Sequence, residues 1–423
     1  MIPSTEAAIP EPTEDVRLSP PVHEVGPVEW ARLNLFSSWF NTVLTVVFGI
    51  LFSWLAYRAA RFVVVTAEWE IVRRNLTNFM VGRFDRTQLW RPWVAAGVLA
   101  LTGGVVAGAM GRVSAELAAQ QDRTQPKVTL AGYIQRFWPL IIMVLFVLSM
   151  TRTIWPTILT ALVLAVGLAG RLVGTALPPA ARRLTWLYAV VGLIVAVQVL
   201  VAFGGVGWGG WGGVHINVFV TVVGIVLAFP LGMLLALGRR SSLPVVRWVS
   251  VAYIEFFRGV PLLALLLVAQ FVVQFFLPPT IAAPSFLMRA LIVIVLFESA
   301  YIAEIVRGGL QSIGRGQIEA AQALGMSPWA TTRRIVLPQA LRAVIPAMVG
   351  QFISLFQDTS LLYVLGFFEL LAVGQNVTSQ TDFVGQGLQA VTLPFVAFIF
   401  WAISYSMSRE SRRLETRLGI GVR

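Results

Sequence analysis

Apolar runs of about twenty residues recur along this chain, and no other feature restricts its fold so strongly. Examples are "SSWFNTVLTVVFGILFSWLAY" (Ser37 to Tyr57), "PWVAAGVLALTGGVVAGAM" (Pro92 to Met110) and "VFVTVVGIVLAFPLGMLLALG" (Val218 to Gly238). About twenty apolar residues are what a helix needs to cross a bilayer. The runs are continuously apolar and do not alternate, so they predict helices and not the strands of a barrel. Similar runs elsewhere bring the count to about ten spans, an all-α polytopic membrane bundle.

Composition agrees. Of 423 residues, 57% are hydrophobic and 12% charged, against roughly 45–50% and about 25% in an ordinary soluble domain. The net charge of +12 is almost entirely arginine, with Lys127 the sole lysine. These arginines flank apolar runs, where they anchor cytoplasmic loops, so nucleic-acid binding is not expected. The absence of cysteine rules out disulfides and thiolate chemistry. His23 and His215 lie far apart in the chain, so no metal site is expected. A phosphate-cradling loop needs G-x-x-x-x-G-K-[ST], and Lys127 in "RTQPKVTL" has no glycine before it. This chain has no nucleotide site of that kind.

Residues 1–36 carry Pro, Glu and Asp and read as a disordered tail without the basic start of a signal peptide. Residues 37–203 hold five candidate spans and form an N-terminal accessory part. "GGVGWGGWGGVHIN" is the clearest boundary; residues 204–216 read as an extracytoplasmic loop with its tryptophans at the membrane surface. Residues 217–413 hold five more spans, and 414–423 form a cytoplasmic tail. The short loop "GRRSSLPVVR", Gly238 to Arg247, is cytoplasmic by the positive-inside rule. Counting backward from it places the arginine-bearing "TAEWEIVRRNLTNFMVGRFDRTQLWRP" outside, against that rule. Either one early span is miscounted or this segment is a small external element.

One stretch differs from its greasy surroundings: "QIEAAQALGMSPWATTRRIVLPQAL", Gln317 to Leu341. It reads as two short helices joined by a turn. Gly316 and Gln317 start the first, Glu319 sits in its first turn, where a negative charge suits the helix dipole, and Gly325 ends it. Ser327 caps the second, Pro328 opens it and Pro338 stops it. On these grounds it is either a rigid cytoplasmic bracket or an amphipathic loop lying on the membrane.

Glu319-Ala320-Ala321, Gly325 and Ile335-Val336-Leu337-Pro338 resemble the EAA loop of ABC importer permeases in order and spacing. "YIEFFRGVPLLALLL", "SAYIAEIVRGGLQSI" and "DTSL" narrow the resemblance, which covers about Trp211 to Arg413, to the polar amino acid permeases. The long first half is similar to that of broad-specificity L-amino acid permeases. Gly314, Gln351 and Gln357 depart from the usual proline, asparagine and lysine. The resemblance implies a type I importer transmembrane fold with extra N-terminal helices, in a bacterial inner membrane. It also implies a loop, residues 315–341, that docks into ATPase subunits. The partners implied are two ATPase subunits that bind ATP-Mg, a second permease, paralogous or identical, and an extracytoplasmic amino-acid-binding protein. No cofactor and no catalytic step belong to this chain.

Polar groups inside spans need a reason. Glu298 would be either a cavity acid that meets substrate or the partner of an arginine on a neighbouring helix. Gln270, Gln274, Gln351, Asp358, Thr359 and Ser360 would either bond substrate or link helices, whereas Glu304 and Arg307 read as structural. Gly259 and Pro261 interrupt a segment too long for one straight span. They make either a broken helix that offers backbone groups to substrate or a surface helix that turns into a span. An ion-coupled secondary transporter, with Glu298 as the coupling acid, is the alternative function.

Overall fold

The computed structural model describes residues 26–120, 130–201, 207, 210–278, 280 and 283–417. They divide into two compact units, one up to Ala67 and one from Glu68 onward. The division does not fall at the glycine-rich boundary, because the accessory helices after Ala67 pack with the rest.

In the first unit, α1 (Pro27–Leu35) opens with a proline at its first turn, so part of the expected tail is helical. The tail's residues 1–25 lie outside the described residues. The span α2 (Trp39–Arg61) is capped by Ser38, whose side chain accepts from Asn41 N, and runs on through a π-helical turn to Thr66.

The second unit begins with α3 (Glu70–Val81), a short amphipathic helix that buries Ile71, Val72, Leu76 and Phe79. The accessory spans are α4 (Trp90–Gln120), α5 (Leu130–Ser149), α6 (Trp155–Ala176) and, after the short α7 (Pro179–Arg182), α8 (Thr185–Val201). In α4 and α6 the backbones meet. A side chain at Gly104, Gly108, Gly170 or Gly174 would run into the facing main chain. In lipid no hydrophobic force drives helices together, so close approach through small residues supplies the attraction.

The later spans are α9 (Gly213–Arg239), the bent pair α10 (Pro244–Gly259) and α11 (Leu262–Leu267), α12 (Phe286–Ser312) and, after two short helices, α13 (Arg315–Ala323) and α14 (Pro328–Thr331), α15 (Leu337–Asp358); α16 (Leu370–Asn376) then leads into α17 (Gln389–Arg417). Among the described residues eight helices are long and apolar enough to cross a membrane, nine with the bent pair. The 17-residue α8 is apolar but shorter than these, so the count falls short of the expected ten. At the centre, α12 packs on α9 and α15 through Gly232 and Gly309, each pressed against a neighbour's main chain. One apolar cluster joins Ile216, Val220, Leu266 and Ile294 to Phe84 and Leu200 of the accessory part, and another gathers Ala236, Ile254, Ile302, Leu310 and Val336.

The arginine-bearing segment is folded. It folds as α3 against the Gly213 end of α9 and against α16, at the far end of α9 from Arg239 and Arg240. Gly82 lies against Gly212, Asn75 and Gln380 exchange amide hydrogen bonds (3.1 and 2.8 Å), and Glu70 pairs with Arg74 and Arg152. It thus packs at the end of α9 opposite those arginines, where a small external element would lie. The glycine-rich loop is shorter than expected, since α9 begins at Gly213; most of 204–209 lies outside the described residues. Trp211 does not sit at a membrane surface. It is 2% exposed, with its ring 4.9 Å from that of His215 and 4.7 Å from that of Phe219. At the other terminus α17 continues to Arg417, and the remainder of the expected tail is outside the described residues.

Candidate functional site

The polar stretch is built as a bracket between α12 and α15. Helix α13 starts at Arg315 with Gly314 as its cap, so Glu319 falls in the second turn and not the first. Its end is a complete Schellman turn. Gly325 adopts φ +74°, its N–H bonds Gln322 O at 2.9 Å, and Met326 N–H bonds Ala321 O at 3.1 Å. Ser327 then accepts from Ala330 N, and Pro328 occupies the first turn of α14.

Pro338 does not stop the second helix. Residues Thr332–Val336 widen into a π turn that feeds directly into α15, and Pro338 lies in the first turn of that helix. A proline ring clashes with the carbonyl four residues back and brings no N–H. Widening the turn moves that carbonyl aside, so the chain from Pro328 to Tyr363 stays continuous. The bracket is thus rigidly joined to a span at its C-terminal side.

The bracket has two faces. Ala321, Thr331 and Val336 are buried, Ile318 and Leu337 pack on the inner apolar cluster, and Gln339 Nε2 bonds Ile335 O at 2.9 Å. Gly316, Glu319, Ala320, Gly325, Ser327, Pro328 and Pro338 are exposed. Leu324 and Trp329 are 82% and 66% exposed. Two large apolar side chains left uncovered by this chain on a rigid element have the character of a contact surface.

Beside it, three helices converge on Glu304. Arg239 of α9, Arg258 of α10 and Arg307 of α12 approach its carboxylate at 3.5, 3.8 and 2.9 Å, and Arg240 Nη1 donates to Leu310 O at 3.1 Å. This matches a structural role for Glu304 and Arg307. The Gly259–Pro261 break bends the chain by 99°. On α10, Val245, Trp248, Val249 and Phe256 are exposed on one side while Ser250 and Ile254 are buried on the other. That is a helix lying along a surface before the turn into α11.

Within the spans, Glu298 is 1% exposed and is held by Gln351, whose Nε2 donates to both carboxylate oxygens at 3.3 and 3.1 Å. The expected arginine partner is not there: among the described residues none stands within ion-pair distance of Glu298. Thr359 links helices, accepting from Asn217 Nδ2 at 2.9 Å and donating to Phe356 O at 2.6 Å. Gln274 is exposed and bonds only its own turn. Ser360 lines a groove of about 600 Å³ between α15 and α17, with Gln357, Ser404 and Tyr405. Asp358, at the end of α15, is partly buried and does not line it. Gln270 is buried, and neither side-chain atom has a partner.

Sequence reasoning passed over a second polar cluster. Asn217 Nδ2 also donates to Glu369 at 3.1 Å, and Glu369 caps α16 by accepting from Leu371 N and Ala372 N at 2.9 and 2.7 Å. Burial pushes the Glu369 carboxyl above the usual carboxylate range, partly countered by these bonds. The signal was a lone polar residue at the start of an apolar run, but its partner is 152 positions away. Among the described residues no cluster of His, Asp and Glu gathers closely enough to hold a metal ion.

Residues 228–419 match the family described as "binding-protein-dependent transport system inner membrane component". The chain is 34% identical to the glutamate/glutamine/aspartate/asparagine transport system permease protein BztC of Rhodobacter capsulatus, over 98% of this chain and 97% of that one. It is 44% identical to the inner membrane amino-acid ABC transporter permease protein YhdY of Escherichia coli, over 50% of this chain and 57% of that one. A solved structure described as an amino acid ABC transporter with histidines covers 48% of this chain and 90% of its own, at 28% identity and a TM-score of 0.43. With its spans, the family match and the full-length likeness to BztC make the protein a multi-pass inner-membrane component. The chain belongs to the binding-protein-dependent transport system inner membrane components, the permease subunits of ABC importers.

Proposed function

We propose that this permease carries polar or general L-amino acids and is driven by two ATPase subunits that grip the bracket at residues 315–341. The observation that carries this reading is the bracket itself. Its exposed face bears Leu324 and Trp329, its turn is locked at Gly325, and it continues without a break into α15. A lever of this kind passes a push from the cytoplasm to a span without bending. Gly316, Glu319, Ala320 and Ala321 shape its first helix. Ser327 and Pro328 restart it, and Leu337 and Pro338 join it to the membrane.

ATP-Mg would be bound by the partner subunits. This chain's one lysine follows no glycine-rich run, so it offers no P-loop for the nucleotide. A second permease, paralogous or identical, would supply the other half of the path, and an extracytoplasmic binding protein would deliver the amino acid. Closure of the ATPases would swing the helices from inward-open to outward-open. Ser360 at the α15–α17 groove, Asp358 at the end of α15, Gln270 in the turn that follows α11, and Glu298 are the candidate pathway groups. Gln351 and Thr359 act through the helices they tie. Family membership disfavours the ion-coupled transporter.

The test is uptake by proteoliposomes that hold this chain with its ATPase, second permease and binding protein. Uptake of a polar L-amino acid that requires ATP is the expected result. Uptake by this chain alone, driven by an ion gradient, would overturn the proposal.

A further inference from the structure

Arginine cannot shed its proton at accessible pH, so a buried guanidinium without an acid beside it is an uncompensated charge. Arg289, in the first turn of α12, is such a group. It is 7% exposed, and among the described residues no carboxylate pairs with it. Its contacts are neutral: Nε donates to Pro284 O at 2.9 Å, Nη1 donates to Gln270 O at 2.6 Å, and the guanidinium lies 4.8 Å from the centroid of the Phe286 ring. Among the described residues Nη2 has no acceptor.

The residue that receives Nη1 is itself anomalous. Gln270 is 1% exposed, and neither Oε1 nor Nε2 is hydrogen-bonded. Both halves of a buried amide left unsatisfied are rare, because each forfeits its hydration. Gln270 lies in a π turn, Val268–Val272, followed at once by a 3₁₀ turn, Val273–Phe276. The first adds a residue to the helical register and the second removes one, so a small rewinding here would re-aim Gln270 while leaving the helix ends in place. Arg289 holds the carbonyl at the centre of that bulge.

We infer that Arg289 and Gln270 form an oxyanion site at the outer end of α11 and α12 that takes the carboxylate of the arriving amino acid. The planar guanidinium offers a free N–H edge that suits a carboxylate. Gln270 Nε2 adds a donor, and Oε1 adds an acceptor suited to the ammonium of the same zwitterion. Arg289 stands 23 residues before Ser312, roughly 34 Å of helix from the bracket, which is the mouth where delivery occurs. The inference rests on the proposed amino acid transport.

The experiment is binding of radiolabelled L-glutamine and of its α-amide, which has no carboxylate, to the permease–ATPase complex without binding protein. It is run in nanodiscs of phosphatidylcholine with and without phosphatidylglycerol. The intact complex is expected to bind L-glutamine and not the amide, with Arg289→Gln weakening binding tenfold or more and Arg289→Lys weakening it less. Gln270→Leu is expected to weaken binding while leaving the melting temperature unchanged or higher, which a merely structural amide would not do. Two results overturn the inference: L-glutamine binding unaltered in Arg289→Gln, or binding of phosphatidylglycerol alone at Arg289, which would make this a lipid-phosphate site. If the intact complex imports glutamine while Arg289→Gln binds normally, only this inference fails. If it imports no polar amino acid, the transport reading fails with it.

Discussion

Gly325 is the position where one atom should separate shape from contact. Its φ of +74° lies in the left-handed region, and a Cβ built there meets nothing within 4 Å. Gly325→Ala therefore adds no clash with neighbours and acts only through the backbone. A non-glycine residue in this region carries about 1–2 kcal/mol, equal to a fall of about 5- to 30-fold in the population of the closed turn. The two hydrogen bonds of the turn, Gly325 N to Gln322 O and Met326 N to Ala321 O, report it directly. Hydrogen exchange at those amides in nanodiscs is expected to accelerate by that factor. Affinity for the ATPase subunits is expected to fall in step, since binding must first reclose the turn. Gly325→Asn, which tolerates this conformation better, is expected to recover much of both. Exchange and affinity unchanged in Gly325→Ala would refute the reasoning, because no other contact of this residue remains to explain its effect.

Other expectations follow from the packing. Gly170→Ala sets a methyl against the main chain at Leu101 and should lower stability by about 1–3 kcal/mol, seen as a fall in melting temperature, whereas Gly97→Ala, with open space around it, should not. Gln351→Leu removes the donor from the buried Glu298 carboxylate. A loss of about 1–3 kcal/mol in chemical denaturation is expected, with much of it regained when Glu298→Leu is added. Asn217→Leu should loosen α16 and speed exchange over Leu370–Asn376 without affecting α13. Because burial raises the Glu369 carboxyl in the folded chain, its contribution is fully present below the ordinary carboxylate value near 4.5 and is lost as pH rises through its higher folded value. Exchange of the Leu371 and Ala372 amides should accordingly quicken as pH climbs through that window, beyond the intrinsic rate, and Glu369→Gln should flatten the excess.

What could be read beforehand was what neighbours in the chain decide. Span positions follow from runs of apolar residues, and the Gly325 turn and the Ser327 cap are set within five residues. Pro338 defeated the reading because the same residue can end one helix or open another. The choice fell to the π turn at Thr332–Val336, which carries the chain on into α15. Trp211 looked interfacial beside its glycines, yet those glycines let Gly82 and Gly212 touch and close the outer end over its ring. Asn217 with Glu369, and Arg289 with Gln270, are pairs made by folding across 152 and 19 positions, and no local pattern announces them. The external arginine segment was legible as a conflict with the positive-inside rule, and its resolution needed the contact of α3 with α9 and α16.

The central claim is that the bracket is where ATP-driven motion enters this chain. The direct measurement places a photo-crosslinking residue at Leu324, on its exposed face, and another at Trp248 on α10, in membranes that also hold the ATPase subunits. The account predicts a crosslink to the ATPase from Leu324, weakened on Gly325→Ala, and none from Trp248. A crosslink from Trp248 with none from Leu324 would contradict it.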